Sequence, residues 1–299
     1  MFGSNKSHAV GEHEAGDEID AVYHEIRQVL RVSGVNQNFR TWAGFGRSFP
    51  LVWDAVRENA GTYAFERAAD ELRASAVRGA LTLPAVRAIA EVPLGPSQLY
   101  QMGAALALYH YINPKVLLIT AAVRLALDGV VIPGSPSADT RRIPRGVPPR
   151  MYPMEMVDED IDDPLVQQTF EDIRQTLLLS AINSDYRTLA LWPEYLSAAW
   201  TRLKPIVITR EFDTLAIGLQ DQAEALARAL PYRVKLTRLD IATTGDDDND
   251  FMKTTARFEQ ILPPLILIIA LLALDGASAD VCMESPFPVA EPAPEGVLA

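Results

Sequence analysis

The two halves of this chain resemble each other in sequence. Residues 23–53 align with residues 170–200 without a gap, at an offset of 147 positions, and ten of the 31 aligned residues are identical. Chance would give about two identities at ordinary residue frequencies. The offset is still kept further along, where residues 125–129 and 272–276 both read LALDG. We infer that one whole structural unit has been duplicated.

The apolar residues of each half recur at helical spacing. In the stretch AFERAADELRASAVRGAL they lie three or four positions apart, among residues of high helix propensity. The stretch PSQLYQMGAALALYHYI begins with Pro and Ser, which is typical of a helix N-terminus. Strand patterns are rare, and the best of them, YRVKLT at 232–237, is short. The sequence therefore predicts an all-α fold.

The duplication also predicts how the chain is organised. Two similar helical units should pack about a pseudo two-fold axis as a pseudo-dimer, with a cleft at their junction. The segment between them is rich in Pro and Gly, which excludes a regular helix and indicates a long connection. The predicted parts are a mobile N-terminal extension (1–19), the first helical unit (20–129), a Pro- and Arg-rich linker (130–166), the second helical unit (167–276) and a C-terminal tail (277–299).

Charge and composition exclude several classes of function. The net charge of -12 would repel the phosphate backbone of a nucleic acid. The single cysteine, Cys282, cannot form an internal disulfide, and the start of the chain lacks the apolar core of a secretory signal. Both features lead us to expect a cytoplasmic protein. The longest uncharged run, at 260–274, is shorter than the roughly 20 residues that span a bilayer, so we expect a buried helix and no membrane partner.

A duplicated unit offers two equivalent sites, and positions where the halves differ in chemistry indicate which of them is active. Asn38 of the first half aligns with Asp185 of the second, and only the carboxylate can act as a base. Asn113 aligns with Gln260. Pairing across the pseudo two-fold axis would place Asp185 with Asn113, where the amide can orient a water molecule that the carboxylate deprotonates. The other pairing, of Asn38 with Gln260, would contain no base.

Each of these residues also has a purely structural interpretation. An Asp that follows Asn-Ser, as Asp185 does, is often a helix cap or a turn residue. An Asn before Pro, as at Asn113, often marks a helix boundary. Thr62 and Glu66 are four residues apart, and a helix face of this kind is often exposed to solvent. The residues alone leave these alternatives open.

Several stretches, taken together, resemble a known enzyme family. The segments EIRQVLRVSGVNQNFR, AADELR, YINPKVLLIT, NSDYRTLALWP and SPFP occur in this order between about residues 18 and 288. Their order and spacing resemble those of the group I 2-haloacid dehalogenases, which are unrelated in fold to the α/β haloacid dehalogenase superfamily. The resemblance implies an all-α pseudo-dimer that hydrolyses the carbon–halogen bond of short 2-haloalkanoic acids with inversion at C2.

The resemblance also implies roles for particular residues. The general base of the family lies between Ser and an aromatic residue, as Asp185 does, and its water-holding asparagine precedes Pro-Lys, as Asn113 does. The family pocket includes the segment that corresponds to residues 34–38, which here reads GVNQN and is unusually polar. The candidate site consists of the catalytic residues Asp185 and Asn113 and of substrate contacts from Ser184, Thr62, Glu66, Gly34, Gln37, Asn38 and Tyr186.

The implied reaction needs a small carboxylic acid, water and no cofactor. Water held between Asp185 and Asn113 would attack C2 in line with the departing halide, so no ester with the enzyme is required. The four histidines show no metal-ligand spacing, and we expect no metal. The substrate carboxylate could be bound by Ser184, by a helix N-terminus or by one of the cations Lys115, Arg40 and Arg187.

Two alternatives remain for the function, and both follow from the polar segment at 34–38. The chain could be a hydrolase or lyase of another short 2-substituted carboxylic acid, in which the carboxylate at 185 would stay essential. It could also be a catalytically silent protein that binds small acids on the same scaffold. The sequence also leaves a homodimer open.

Overall fold

A computed structural model describes residues 9–290 of the 299-residue chain. Within this range the chain forms α-helices and no strand, only two isolated bridges. The all-α prediction is therefore confirmed. The helices are α1 (Asp17–Leu30), α2 (Gln37–Ala43), α3 (Ser48–Ala60), α4 (Tyr63–Ala80), α5 (Pro96–Leu127), α6 (Pro164–Thr176), α7 (Ser184–Leu189), α8 (Pro193–Val207), α9 (Arg210–Arg228), α10 (Arg238–Thr243), α11 (Asp248–Gly276) and α12 (Ala279–Met283).

Side-chain caps start several helices where the sequence offers a hydroxyl or a carboxylate. The Thr62 hydroxyl accepts a hydrogen bond from the Phe65 backbone N–H at 3.2 Å and starts α4. Thr209 accepts from the N–H of Phe212 at 3.3 Å and starts α9 in the same way. Such caps satisfy backbone donors that a helix leaves free in its first turn. They fix where these amphipathic helices begin.

Two long apolar helices, α5 and α11, form the centre of the fold and pack along each other, with α4 and α9 against both. By length and composition alone each could cross a membrane, but 94% of the most apolar window of α5 and 61% of that of α11 is buried inside the protein. A helix that is apolar on every side is buried in a core or a membrane. Among the residues described, most of the apolar stretch of each helix is thus covered by the core of the protein.

Prolines lie inside both central helices. Pro114 interrupts the backbone hydrogen bonds of α5, and Pro263 and Pro264 interrupt those of α11. A proline normally ends or kinks a helix, because it lacks an N–H and collides with the preceding turn. Here the surrounding helices hold both segments in place. The alternative that Asn113 marks a helix boundary is therefore wrong, since Asn113 lies in the middle of α5.

The segments outside the helical units are better ordered than the sequence indicated. Residues 9–16, predicted to be mobile, are tied to the body: Val10 N–H donates to the Arg40 carbonyl at 2.9 Å, and Glu12 accepts from Val35 N–H at 2.9 Å. Residues 1–8 of the predicted extension lie outside the described residues. The predicted tail contains α12, and its Phe287 ring packs edge-on against Tyr111 at 5.3 Å. The mobile extension is therefore corrected for residues 9–19, since residues 17–19 already belong to α1.

The short strand candidate at 232–237 does not form a strand. Val234 makes one isolated bridge with Ile132 of the linker, and α10 follows directly from its Thr237 cap. The linker itself ends three residues earlier than predicted, because Asp163 caps α6 and Pro164 occupies its first turn. Proline is favoured there, since the first N–H of a helix has no intrahelical partner.

Candidate active site

A short helix, α7, presents the candidate base. The backbone of Asn183 is extended (φ -61, ψ 150), and α7 begins at the next residue, so Asp185 lies in the first turn rather than at the cap. The alternative that Asp185 is the cap is therefore wrong. The aligned residue Asn36 has nearly the same backbone conformation (φ -62, ψ 153) before α2. The two short helices thus bring equivalent polar segments to the interior.

Asp185 and Asn113 are hydrogen-bonded to each other. The Asn113 side-chain Nδ2 donates to Asp185 Oδ1 at 2.7 Å, joining α5 to α7. The two side chains are almost completely buried, with 3% and 1% of the Asp185 and Asn113 surfaces exposed. The pair that the internal comparison predicted is therefore brought together in the structure, although its two members are 72 residues apart.

Burial sets the protonation chemistry of Asp185. The loss of solvation raises the pKa of Asp185 to about 7, and the hydrogen bond from Asn113 partly opposes this rise. A carboxyl group with a pKa near neutrality exchanges protons more effectively at physiological pH than an ordinary Asp does. The environment of Asp185 therefore suits it to act as a general base.

Asp185 and Asn113 line a small polar cavity of about 20 Å³, which is room for about one water molecule, where α2, α5, α7 and α11 meet. Its walls contain the predicted residues Gln37, Asn38 and Ser184, and its apolar side comes from α5 and α11. The full set of lining residues is Asn36, Gln37, Asn38, Asn113, Val116, Asn183, Ser184, Asp185, Phe258, Leu262 and Leu265.

Several polar atoms around this cavity are buried without a hydrogen-bond partner. They are Oδ1 of Asn36, Oδ1 of Asn38 and Oγ of Ser184. Buried polar atoms in native proteins nearly always have partners, so unpaired ones mark places for water or a ligand. The amide groups can accept or donate according to which end faces the cavity. The cavity is thus suited to hold a water molecule beside Asp185.

The structure separates four predicted contacts from this cavity. Thr62 caps α4, and Glu66 pairs with Lys115. A Cβ on Gly34 would lie 2.7 Å from the Met154 Cβ, so Gly34 permits the linker to approach closely. Tyr186 lines a different pocket and packs edge-on against Trp200. None of these four positions lines the cavity around Asp185, and their contact with substrate stays a prediction.

Glu66 and Lys115 form a buried ion pair. Lys115 Nζ lies 2.6 Å from Glu66 Oε2, with 1% and 4% of the Lys115 and Glu66 side chains exposed. The Lys115 ammonium also donates to the Leu30 carbonyl at 3.2 Å and lies over the Tyr111 ring. Burial lowers the pKa of Lys115 to about 8, while Glu66 opposes this fall. The alternative of a solvated face for Thr62 and Glu66 is wrong, since both are buried.

The second predicted pairing does not occur. Asn38 donates to the Thr120 hydroxyl at 3.3 Å and lines the same cavity as Asp185. Gln260 is exposed and lines another pocket. Asn38 and Asp185 therefore contribute to one shared cavity rather than to two separate sites.

Sequence reasoning missed residues that complete the site. Tyr109 lies one turn before Asn113 on α5, and its hydroxyl is 3.2 Å from the Ser184 carbonyl and 2.7 Å from the Thr188 hydroxyl. These contacts hold α7 against α5. Asn183 was also missed as a lining residue. A polar group four residues before Asn113 was the signal available for Tyr109, because residues four apart share a helix face.

The three cations considered for the substrate carboxylate are placed elsewhere. None of Lys115, Arg40 and Arg187 lines the cavity. Arg187 instead donates through Nε to the Val157 carbonyl at 2.7 Å. Among residues 9–290, no group of three His, Cys, Asp or Glu side chains is placed to hold a metal ion. The polar groups that line this cavity are thus amides, the Ser184 hydroxyl and the Asp185 carboxyl.

Comparison with solved structures gives the class of the fold. The chain superposes with a TM-score of 0.83 on a complex of a D-2-haloacid dehalogenase with L-LA, at 26% sequence identity, covering 90% of this chain and 96% of that one. A mutant of a D-2-haloacid dehalogenase with D-2-CPA gives the same TM-score and identity. The helical fold is thus that of the all-α 2-haloacid dehalogenases, a class of enzymes.

Comparison of sequences gives the family. The family model described as "Halocarboxylic acid dehydrogenase DehI" matches residues 33–186, just over half of the chain. A configuration-inverting 2-haloacid dehalogenase of Pseudomonas sp. (strain 113) is 30% identical over 211 residues, covering 68% of this chain and 69% of the relative. An (R)-2-haloacid dehalogenase of Pseudomonas putida is 28% identical over 267 residues, covering 86% and 89%. The chain belongs to the DehI family, and the resemblance found in its sequence is confirmed.

Proposed function

We propose that this protein hydrolyses short 2-haloalkanoic acids to 2-hydroxy acids, with water activated by Asp185 attacking C2 directly and with inversion. The observation that carries the proposal is the 2.7 Å hydrogen bond between Asn113 and Asp185 in a polar cavity with unpaired buried groups. Relatives that share the family are configuration-inverting 2-haloacid dehalogenases, which supports the same reaction class here.

In the proposed step, a water molecule in the cavity is held by Asp185 and by the polar groups around it. The water oxygen forms a bond to C2 while the carbon–halogen bond breaks, and the halide leaves with the bonding electron pair. The water proton passes to the Asp185 carboxylate. Attack opposite the leaving group inverts the configuration at C2. Asn113 keeps one carboxylate oxygen in place, which leaves the other to receive the proton.

The substrate carboxylate is proposed to bind to neutral donors. The Ser184 hydroxyl is buried and without a partner, and the amides of Asn36, Gln37 and Asn38 lie around the same cavity. A cationic partner close to Asp185 would lower the pKa of its carboxyl and make it a weaker base. The use of neutral donors keeps the carboxyl at 185 basic enough to accept a proton.

An isotope experiment tests direct attack by water. With enzyme in excess over 2-chloropropionate in H₂¹⁸O, direct attack predicts that the lactate of the first turnover carries ¹⁸O at C2. An ester with Asp185 would instead give unlabelled first-turnover lactate and place the label in the protein. Mass spectrometry of both product and protein separates these results. Chiral analysis of the lactate from each enantiomer of the substrate tests inversion, and retention would contradict the proposal.

The raised pKa of Asp185 predicts the pH dependence of turnover. Since only the ionised carboxylate accepts a proton, kcat/KM for 2-chloropropionate should rise with pH, with an apparent pKa near 7, and level off above about pH 8. The 2-haloacid itself is ionised throughout this range and contributes no such step. Halide release measured from pH 5.5 to 9 tests this expectation. A rate independent of pH over that range would contradict a buried carboxylate base.

We also propose that the two halves are related as a pseudo-dimer. Under the offset of 147, α4 (63–80) would become 210–227, and α9 is Arg210–Arg228. Thr62 and Thr209 cap these helices by the same bond to the residue three positions on. The long helix of each half, α5 or α11, lies in the centre of the fold. The position of the cavity between α2 and α7, which align with each other, fits this arrangement.

A further inference from the structure

A second pocket lies next to the cavity of Asp185. We call it the side pocket; it is bounded by residues 176–179, α9 and α11 and has a volume of about 400 Å³. Asn183 and Leu265 line both the side pocket and the cavity around Asp185. The two spaces are therefore neighbours that share the side chains of Asn183 and Leu265.

The inner wall of the side pocket is apolar, and its rim is polar. The wall includes the buried side chains of Leu179, Phe212 and Ile268 and the half-buried Ile261. Arg257 and Gln260 are exposed at the rim. An apolar wall that reaches a polar catalytic cavity suits a ligand with a charged head and a hydrocarbon chain. A carboxylate alone would gain nothing from contact with this wall.

The second half differs from the first at the two positions of the buried ion pair. At the positions of Glu66 and Lys115, the second half has Asp213 and Leu262 under the offset of 147. Glu66 and Lys115 pair in the interior of the first half, whereas Asp213 is exposed. The second half therefore lacks the buried ion pair, and an open apolar space lies beside α9 and α11.

We propose that the side pocket receives the alkyl chain of substrates longer than three carbons, while C2 and the carboxylate stay beside Asp185. This inference rests on the proposed dehalogenase function and extends its substrate class from short to medium-chain 2-haloalkanoic acids. From C4 onward the chain passes between Asn183 and Leu265. Each methylene group that leaves water for an apolar wall should raise kcat/KM about threefold to fourfold.

A series of 2-bromo acids with one halogen tests the proposal. Halide release is measured for 2-bromopropionate, 2-bromobutyrate and 2-bromohexanoate with wild type, Ile261→Trp and the control Ile217→Trp. Ile217 lies on α9, is 60% exposed and does not line the side pocket. In wild type we expect kcat/KM to rise along the series. Ile261→Trp should lower the value for 2-bromohexanoate at least about tenfold and that for 2-bromopropionate less than twofold, and Ile217→Trp should change neither.

The outcomes distinguish this inference from the function on which it rests. If Ile261→Trp lowers kcat/KM equally for 2-bromopropionate and 2-bromohexanoate, the side pocket is an entry route and the proposed chain pocket is overturned. The dehalogenase function is not affected by that result. If the wild type turns over 2-bromopropionate but not 2-bromohexanoate, the chain pocket is likewise overturned and the dehalogenase function is retained. Absence of halide from every substrate overturns both. Should circular dichroism show that Ile261→Trp is unfolded, Ile261→Asn makes the wall polar and should reduce the rise of kcat/KM per methylene in the same direction.

Discussion

Replacing Asp185 by Asn is expected to lower turnover of 2-chloropropionate about 10²- to 10⁴-fold and, at the same time, to stabilise the protein at pH 8. The first effect follows because an amide cannot accept the proton of the attacking water. The second follows from the raised pKa of Asp185, about 7 in the folded protein. Burial favours the protonated form of Asp185. The contribution of this residue to stability is therefore full below its pKa in the unfolded chain and is lost as the pH rises through 7. Asn has no such charge.

Thermal unfolding at two pH values measures the second effect. The Tm of Asp185→Asn should exceed that of wild type by several degrees at pH 8. This difference should shrink at pH 5, where Asp185 is largely protonated in the folded protein and no buried charge remains. The exposed Asp221 of α9 provides the control, because Asp221→Asn removes a charge that is already in water. A variant that keeps more than a tenth of wild-type turnover would remove Asp185 from the role of base.

Breaking the buried ion pair is expected to give the largest loss of stability. Lys115→Met leaves Glu66 buried without its counter-charge, and the free energy of unfolding should fall by about 3–5 kcal/mol. Glu66→Met should cost a similar amount. The double variant restores an uncharged, well-filled interior and should return to within about 2 kcal/mol of wild type, because a buried pair often gives little net stability over apolar residues of similar size.

A double-mutant cycle in urea measures the coupling between Glu66 and Lys115. The exposed pair of Arg228 and Glu224 on α9 is the control, since its side chains are 46% and 28% exposed and such pairs contribute about 0–1 kcal/mol. Additive losses in the double variant would show that the two charges are independently solvated. Halide release by the double variant also separates structure from chemistry: Glu66 lies outside the cavity, so turnover should survive.

Local patterns in the sequence were enough to predict the amphipathic helices, which have one apolar and one polar face. The stretch that became α4 has a regular apolar spacing and a threonine cap, and both features depend on residues within one or two turns. The central helices could not be delimited in this way. Because α5 and α11 are apolar on nearly every side, they lack a periodic signal, and the local rule that proline ends a helix failed at Pro114. The limits of these two helices depend on packing against residues that are distant in the sequence.

The site shows the same division. Comparison of the halves identified Asp185 and Asn113 because a difference in chemistry at aligned positions is visible in sequence alone. Lys115 was considered as a partner of the substrate carboxylate, but the structure gives it to Glu66, 49 positions away. The sequence holds no local record of that contact. Placement of Gly34 against Met154 is a similar case, since a linker residue far along the chain determines it.

The mutual burial of α5 and α11 has a consequence for the integrity of the chain. Each helix covers apolar surface of the other, and one comes from before the linker and the other from after it. A proteolytic cut in the linker would therefore leave two fragments that remain bound, because separating them would expose both central helices to water. For the same reason we expect each fragment to be poorly soluble when it is produced alone. The linker raises the effective concentration of each half near the other. The apolar contact between α5 and α11 is what holds the two halves together.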